Sequence, residues 1–209
     1  QPIAKQVSVD LNLEGKKVTQ EVNLAPKERK TVVFTPDVHK TLELKSPRLW
    51  WPNNYGRQEL YTMDVVVAEK GVSSDSKKVR FGVRELSYEL EVCFPDDSIR
   101  RVEYRPTVMG QGEPIFDNIN RKYIEGGMCM PRLKKNVSSD ILVPAPDKAM
   151  QHYMVIKVNG KRIFCKGGNW GMDDAMKRVS REHLEPYFRL HKEANFNMIR
   201  NWTGESTEE

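Results

Sequence analysis

The chain has 209 residues, of which 38% are hydrophobic and 30% charged, and its formal net charge is +5 at pH 7. This composition is that of an ordinary globular protein, and no stretch reaches the ~18 consecutive apolar residues of a membrane helix, so no membrane partner is expected. The basic residues are scattered in short pairs such as Lys77-Lys78 and Lys134-Lys135, which argues against a nucleic-acid partner.

Residues 1–88 are predicted to form a β-sandwich. From Gln6 to about Tyr88 apolar and polar residues alternate, and turn signals such as Glu14-Gly15 and Lys70-Gly71 separate the runs. Alternation broken in this way indicates six or seven short strands in two antiparallel layers. The sequence lacks a signal-peptide pattern before the first strand, so we expect a piece of a longer protein. The residues expected to face the core include Val7, Val9, Leu60, Val65 and Phe81.

Residues 89–152 are predicted to be a linker or an insertion without regular structure. Six prolines and several glycines interrupt any periodicity in this stretch. A connection of this length is unusual inside a compact domain, so we expect a long irregular segment between two domains.

Residues 153–209 are predicted to contain a β-hairpin followed by a strand-helix-strand unit. The apolar run from Val155 meets Asn159-Gly160, a dipeptide typical of two-residue hairpin turns, and Ile163-Phe164-Cys165 follows as the second strand. Ser180 is a predicted helix N-cap, and Pro186 requires that the first helical turn be irregular or that the regular helix start there. Asn195-Phe196-Asn197 is predicted to end the helix, and Met198-Ile199-Arg200 then forms a strand. The order predicts a βαβ unit with parallel strands.

Two blocks of this sequence resemble a known family. The first is SPRLWWPNNYGRQELYTMDV with Phe81-Gly82-Val83-Arg84-Glu85, and the second is VNGKRIFCKGGNWGMDD with ANFNMIRNWTGE. They resemble the immunoglobulin-like domain and the opening of the catalytic barrel in glycoside hydrolase family 2, in the branch of β-mannosidases, endo-β-mannosidases and exo-β-glucosaminidases. The resemblance implies a mainly β fold, with an immunoglobulin-like β-sandwich at 1–88 and a truncated N-terminal part of a (β/α)₈ barrel at 153–209. Val83 departs from the family, which more often has an aromatic residue there.

The resemblance also implies a sugar-binding site at the carboxyl ends of the barrel strands, where barrel enzymes place their substrates. A tryptophan ring can stack on a pyranose, while an aspartate and an arginine can hold its hydroxyls. The implied substrate-binding residues are Asn169, Trp170, Asp174, Arg200 and Trp202.

Each of these residues also has a purely structural interpretation. A tryptophan can be a packing residue, which is the role favoured for Trp50-Trp51. Asp174 can cap a turn, and Arg200 can form a structural ion pair at a strand end.

The family resemblance implies an enzyme whose catalytic groups lie outside this chain. Family members are retaining glycosidases with a Glu acid/base and a Glu nucleophile on later barrel strands. The predicted function is therefore a fragment of an exo-acting, β-mannosidase-like glycosidase, inactive alone, whose substrate is a β-linked oligosaccharide or the glycan of a glycoconjugate. The alternative is a non-catalytic β-sandwich module that binds carbohydrate or protein.

Three further expectations concern cofactors, location and association. The cysteines Cys93, Cys129 and Cys165 are widely spaced and match no zinc pattern, so neither a metal nor another cofactor is expected. A secreted or periplasmic location is favoured for the full-length parent. An incomplete barrel leaves a strand edge uncovered, which favours self-association of the truncated segment.

Overall fold

A computed structural model describes residues 3–109, 114–123, 129–137, 143–144, 154–171 and 180–201. The chain divides into two compact units. The first unit contains Gln1–Trp50 and Arg57–Val83, and the second contains Trp51–Gly56 and Arg84–Glu209. Among the described residues, no helix has the length and apolar character needed to cross a membrane.

Four antiparallel strands form the sheet of the first unit. They are β1 (Lys5–Leu13), β2 (Lys16–Leu24), β3 (Tyr61–Glu69) and β4 (Val72–Phe81), in the order β2-β1-β3-β4. The predicted turns at Glu14-Gly15 and Lys70-Gly71 are confirmed, and all four residues have positive φ angles. Two-residue turns of this kind match the right-handed twist of antiparallel strands, which explains their place between β1 and β2 and between β3 and β4.

One face of this sheet carries the core of the first unit. Leu11, Leu13 and Tyr61 are buried there, and Phe34, Leu42, Leu44 and Phe81 pack against them. Val7 and Val9 alternate with polar residues on the face of Leu11, and Val65 lies directly opposite Leu11 on β3. All three valines are half-buried. The inward position predicted for Leu60 is wrong, because the side chain is 41% exposed and its neighbour Tyr61 faces the core instead.

The segment 25–49 covers the core without extending the sheet. The strands that alternation predicts around Val32-Val33-Phe34 and Leu42 are absent from this described segment, whose regular structure is one short 3₁₀ helix, Lys40–Leu42. Pro26, Pro36 and Pro47 have no backbone N–H to donate to a ladder. The apolar side chains of this segment therefore contribute to the core from irregular backbone.

Seven strands form the main sheet of the second unit. They are β5 (Leu86–Cys93), β6 (Ile99–Tyr104), β7 (Phe116–Tyr123), β8 (Cys129–Leu133), β9 (Val143–Pro144), β10 (Val155–Val158) and β11 (Lys161–Arg162). The order is β11-β10-β5-β6-β9, with β8 pairing with β5 and β7. A short helix, α1 (Pro106–Met109), follows β6. The Asn159-Gly160 hairpin turn is confirmed, and its strand β10 pairs with β5.

This sheet corrects the expected long irregular segment at 89–152. Its described parts carry most of β5 and all of β6 to β9, with a core of Val92, Phe94, Val102, Ile115 and Leu133. Pro95 follows β5, Pro106 starts α1 and Pro114 precedes β7. These three prolines therefore lie at or near the ends of strands and helices, and they do not indicate irregular structure. The fold is mainly β, as predicted.

The opposite face of this sheet buries charged residues in matched pairs. Glu89 is 1% exposed and accepts two hydrogen bonds from Arg162, from Nε at 3.0 Å and from Nη2 at 2.8 Å. Glu103, opposite Glu89 on β6, forms ion pairs with Lys157 and Arg105. Burial opposes ionisation of Glu103, but hydrogen bonds from Lys157, Ser87 and Arg105 hold its pKa below the ordinary value. Buried carboxylates are tolerated when cations compensate them in this way.

The Glu89–Arg162 pair provides a test of this compensation. Glu89→Ala removes the carboxylate that pairs with Arg162 and with the buried guanidinium of Arg101, whose Nη2 lies 3.7 Å from Glu89, so we expect the free energy of unfolding to fall by about 3–5 kcal/mol. Urea denaturation followed by far-UV circular dichroism measures the change. The exposed strand variant Glu21→Ala is the control and should change it by less than about 0.5 kcal/mol. Equal effects of the two variants would contradict the role assigned to Glu89.

Candidate functional site

Two short parallel strands, β12 (Gly167–Trp170) and β13 (Met198–Asn201), form a separate small sheet in the second unit. The helix α2 (Arg181–Glu193) connects them, which confirms the predicted strand-helix-strand unit. Their register places Asn169 beside Arg200 and Trp170 beside Asn201. Because parallel strands end at the same edge, the side chains at these carboxyl ends are neighbours.

Local signals at both ends set the limits of α2. The Ser180 side chain accepts a hydrogen bond from the backbone N–H of His183, as predicted for an N-cap. The α-helix runs from Arg181 through Pro186 in its interior, which corrects both alternatives expected for this proline, an irregular first turn and a regular helix that starts at Pro186. At the other end Asn195 has φ +64°, and the N–H of Phe196 returns to the carbonyl of His191 at 2.9 Å. A left-handed residue of this kind ends a helix.

The Trp51–Gly56 loop supplies hydrogen bonds to the end of α2. Asn53 Nδ2 donates to the carbonyl oxygens of Lys192, at 3.0 Å, and Phe196, at 3.1 Å. Asn54 Nδ2 donates to the carbonyl oxygen of Asn195 at 3.3 Å. Helix carboxyl ends have unpaired carbonyl groups, so these two amides satisfy acceptors at the point where the chain turns into β13.

A second set of polar contacts holds the entrance to β12. The Tyr55 hydroxyl accepts from the N–H of Phe164 at 2.8 Å. Asn197 Oδ1 accepts from the N–H of Lys166 at 2.9 Å, and Asn197 Nδ2 donates to the carbonyl of Phe164 at 3.0 Å. These contacts tie the residues preceding β12 to the residue preceding β13. In the same loop, the Trp51 ring lies 5.4 Å from Lys161 Nζ, a structural role of the kind favoured for this tryptophan.

The predicted site residues Asn169 and Arg200 meet at the carboxyl ends of the two strands. Arg200 Nη1 donates to Asn169 Oδ1 at 3.3 Å, and both residues are exposed. An exposed guanidinium and a neighbouring amide can offer several hydrogen-bond donors to a ligand oxygen. Asp174 and Trp202, the other polar and aromatic candidates, lie outside the described residues.

Trp170 is the last residue of β12, and its ring packs against α2. Its ring centroid lies 5.4 Å from that of Tyr187, 6.1 Å from Phe188 and 5.9 Å from His191. The sequence predicts a strand at Ile163-Phe164-Cys165 and places Trp170 after it, whereas in the structure β11 ends at Arg162 and Trp170 is part of β12. Its indole Nε1 is buried and has no hydrogen-bond partner within the described portion of the chain. Packing against the helix therefore accounts for this ring in the structure.

The positioning role of Asn53, Asn54, Tyr55 and Asn197 was not predicted from the sequence. Asn53 is separated from its partner Lys192 by 139 positions and Asn54 from Asn195 by 141, and no periodicity joins such distant segments. A usable signal does exist, since the polar run Asn53-Asn54-Tyr55 follows two tryptophans and Pro52. Amide side chains at the end of an apolar run are suited to satisfying backbone groups of another segment.

Comparison with known proteins finds one matching family model and several related proteins. The family model described as "Glycosyl hydrolases family 2" matches residues 3–84. The chain is 41% identical over 181 residues to the exo-beta-D-glucosaminidase of Streptomyces avermitilis, covering 87% of this chain and 14% of that enzyme. It is 25% identical over 203 residues to the mannosylglycoprotein endo-beta-mannosidase of Lilium longiflorum, covering 97% of this chain and 15% of that enzyme. The chain thus spans about one seventh of the length of these relatives.

The fold is also similar to that of a solved structure. The crystal structure of an exo-chitosanase from Amycolatopsis orientalis superposes with a TM-score of 0.57 at 21% sequence identity. The match covers 99% of this chain and 17% of the other. At this level of identity the similarity supports a common fold.

Because β12 and β13 approach each other closely at Gly167, the adjacent residues Gly167 and Gly168 should respond differently to substitution. A Cβ atom on Gly167 would lie 1.8 Å from the carbonyl oxygen of Met198, whereas a Cβ on Gly168 meets no described atom within 4 Å. We expect Gly167→Ala to force the strands apart and to lower the free energy of unfolding by about 1–3 kcal/mol. Gly168→Ala is the matched control. Denaturation curves and the ¹H–¹⁵N NMR signals of Met198–Asn201 give the readout, and an unperturbed Gly167→Ala spectrum would refute the close approach.

Proposed function

Because the chain belongs to glycoside hydrolase family 2, we propose that it is part of a retaining, exo-acting β-glycosidase of the β-mannosidase type. Its substrate would be a β-linked oligosaccharide or the glycan of a glycoconjugate. In this proposal the strand pair β12–β13 opens the catalytic barrel. The observation that carries it is the meeting of Asn169 and Arg200 at the carboxyl ends of two parallel strands, where barrel enzymes bind their substrates.

Asn169 and Arg200 would form one wall of the pocket for the non-reducing sugar. A guanidinium presents donors in a planar fork that can reach two adjacent hydroxyl oxygens. The Asn169 amide, hydrogen-bonded to that guanidinium, would orient it and offer its own donors. A charged group that hydrogen-bonds an uncharged partner contributes about 1.5–3 kcal/mol, enough to fix one sugar orientation over another.

Trp170 would act at this wall mainly by supporting it. Its ring packs on α2 through Tyr187 and Phe188, and it immediately follows Asn169. Contact of its exposed edge with the sugar, and contributions from Asp174 and Trp202, belong to the proposal on the strength of the family resemblance.

Hydrolysis with retention needs two carboxyl groups about 5–5.5 Å apart, one acting as acid/base and one as nucleophile. The buried carboxylates of the described residues, Glu89 and Glu103, are compensated by Arg162, Lys157 and Arg105 within the seven-stranded sheet. Despite the opposing effect of burial, the pKa of Glu103 is held below its ordinary value by hydrogen bonds from Lys157, Ser87 and Arg105, so this carboxylate is poorly suited to protonate a leaving group. We therefore assign the catalytic pair to parts of the enzyme beyond this chain.

Apolar side chains of α2 that are exposed in this chain would be covered in the complete barrel. Phe188 is 45% exposed and Leu190 is 59% exposed, and large apolar side chains of this kind favour association when a neighbouring element is missing. Self-association of the isolated chain follows from this proposal.

Two assays test the proposed function. The isolated chain should hydrolyse 4-nitrophenyl β-mannoside and β-glucosaminide no faster than buffer. In a longer polypeptide that contains this chain and is active, Arg200→Ala should lower kcat/KM by about 10–100-fold, since it removes charge-assisted hydrogen bonds to the sugar. Arg189→Ala, on the exposed face of α2, is the matched control. Turnover by the isolated chain that disappears when one of its own glutamates is changed would overturn the assignment.

A further inference from the structure

A basic cavity lies beside β7 and β8 in the second unit, outside the strand pair β12–β13. Its volume is about 790 Å³, and its lining includes Asp117, Asn120, Arg121, Arg132, Lys134 and Lys135. This volume falls within the roughly 300–1,000 Å³ typical of sites for small ligands. The cavity is therefore large enough for more than a single bound ion.

A bulge in β7 forms one wall of this cavity. Asp117 pairs with Arg132 and Lys122 pairs with Met130, so residues 118–121 stand opposite Pro131 alone. Proline has no N–H to donate to the ladder, and strands commonly bulge at such positions. The bulge directs Asn120 and Arg121 toward the cavity lining.

Hydrogen bonds within the bulge fix the Asp117 carboxylate. Its Oδ1 accepts from the N–H groups of Ile119, at 2.8 Å, and Asn120, at 3.0 Å, and its Oδ2 accepts from the Asn120 amide at 2.9 Å. Hydrogen bonds from the backbone and side chain of Asn120, followed by that from Ile119, lower the pKa of Asp117 to about 2. The Asp117 carboxylate therefore stays ionised, and its hydrogen bonds stabilise the bulge.

The cavity lining is strongly basic compared with the chain as a whole. Among the described residues that line it, four are basic and one is acidic, whereas the whole chain has 34 basic and 29 acidic residues. Arg132 is oriented by Asp97, at 2.9 Å from Nη1, and by the carbonyl of Asn120, at 3.0 Å from Nε. Even when Asp97 is included, the cations outnumber the anions by two.

We propose that this cavity binds an acidic oligosaccharide, through ion pairs with the carboxylate or sulfate groups of its sugars. Arginine and lysine side chains are the usual partners of such anions, and the amides of Asn120 and Asn136 suit the neighbouring hydroxyls. None of the described lining residues is aromatic, although binding of single-stranded nucleic acid relies on aromatic stacking. The proposed site is separate from the Asn169–Arg200 pair and does not depend on the proposed glycosidase activity.

Isothermal titration calorimetry of the 209-residue chain with four probes tests this proposal. The probes are a heparin-derived hexasaccharide for sulfate, hexagalacturonate for carboxylate, neutral mannohexaose, and a decamer of deoxythymidine. At least one acidic hexasaccharide should bind tenfold or more tighter than mannohexaose, with an affinity that falls as salt rises. The acidic probe that binds more tightly shows whether the cavity prefers sulfate or carboxylate groups. Equal affinity for mannohexaose, no binding of either acidic probe, or equal or tighter binding of the decamer would overturn the proposal.

A pair of charge-reversal variants localises the binding. The double variant Lys134→Glu, Lys135→Glu should bind the acidic hexasaccharide at least tenfold more weakly than the unmodified chain. The matched control, Lys77→Glu with Lys78→Glu, changes two adjacent exposed lysines on β4 and should stay within twofold of the unmodified chain. In the unmodified chain, NMR shift changes should concentrate at Ile119–Lys122 and Arg132–Asn136. An equal loss in both double variants, or shift changes elsewhere, would contradict the assigned cavity.

Discussion

Hydrogen bonds from side-chain amides hold the strand pair on which the functional interpretation depends. β12 and β13 have four residues each, and so short a parallel pair forms few ladder hydrogen bonds of its own. Asn197 ties the entrance of β12 to that of β13, while Asn53 and Asn54 bind the backbone between α2 and β13. Asn169 and Arg200 meet because both ends of the unit are fixed. Each of these hydrogen bonds stabilises the turn by about 0.5–1.5 kcal/mol.

The seven-stranded sheet determines where this pair begins. Arg162, in β11, is anchored by two hydrogen bonds to the buried Glu89 of β5, and β12 starts five residues later. Ile163 is buried and its N–H donates to the carbonyl of Ile156, so the chain leaves the sheet from a fixed point. Buried ion pairs contribute little net stability, but they restrict which strands can be neighbours. Here the charged face of the sheet positions the segment that leads to the proposed sugar site.

The sequence predicted those elements whose signals are local. Two-residue turns with a glycine, the Asn159-Gly160 hairpin, the Ser180 cap and the helix end at Asn195 each depend on neighbouring residues alone, and all are present. The seven-stranded sheet was missed because the prolines at 95, 106 and 114 interrupt its periodicity, although they lie between its elements. The contacts of Asn53, Asn54 and Tyr55 join segments more than 100 residues apart. Such contacts follow from tertiary packing, and no local pattern encodes them.

Amide hydrogen exchange in an Asn53→Ala, Asn54→Ala double variant tests this account most directly. Three hydrogen bonds to the backbone between α2 and β13 are removed, and a net loss of about 1–2 kcal/mol corresponds to exchange that is faster by about 5–30-fold. The acceleration should be confined to β12 and β13, while β1 to β4 exchange as in the unmodified chain. Asn23→Ala, on the exposed face of β2, serves as the control. Unchanged exchange at Ile199 and Arg200 in the double variant would contradict the claim that these amides hold the strand pair.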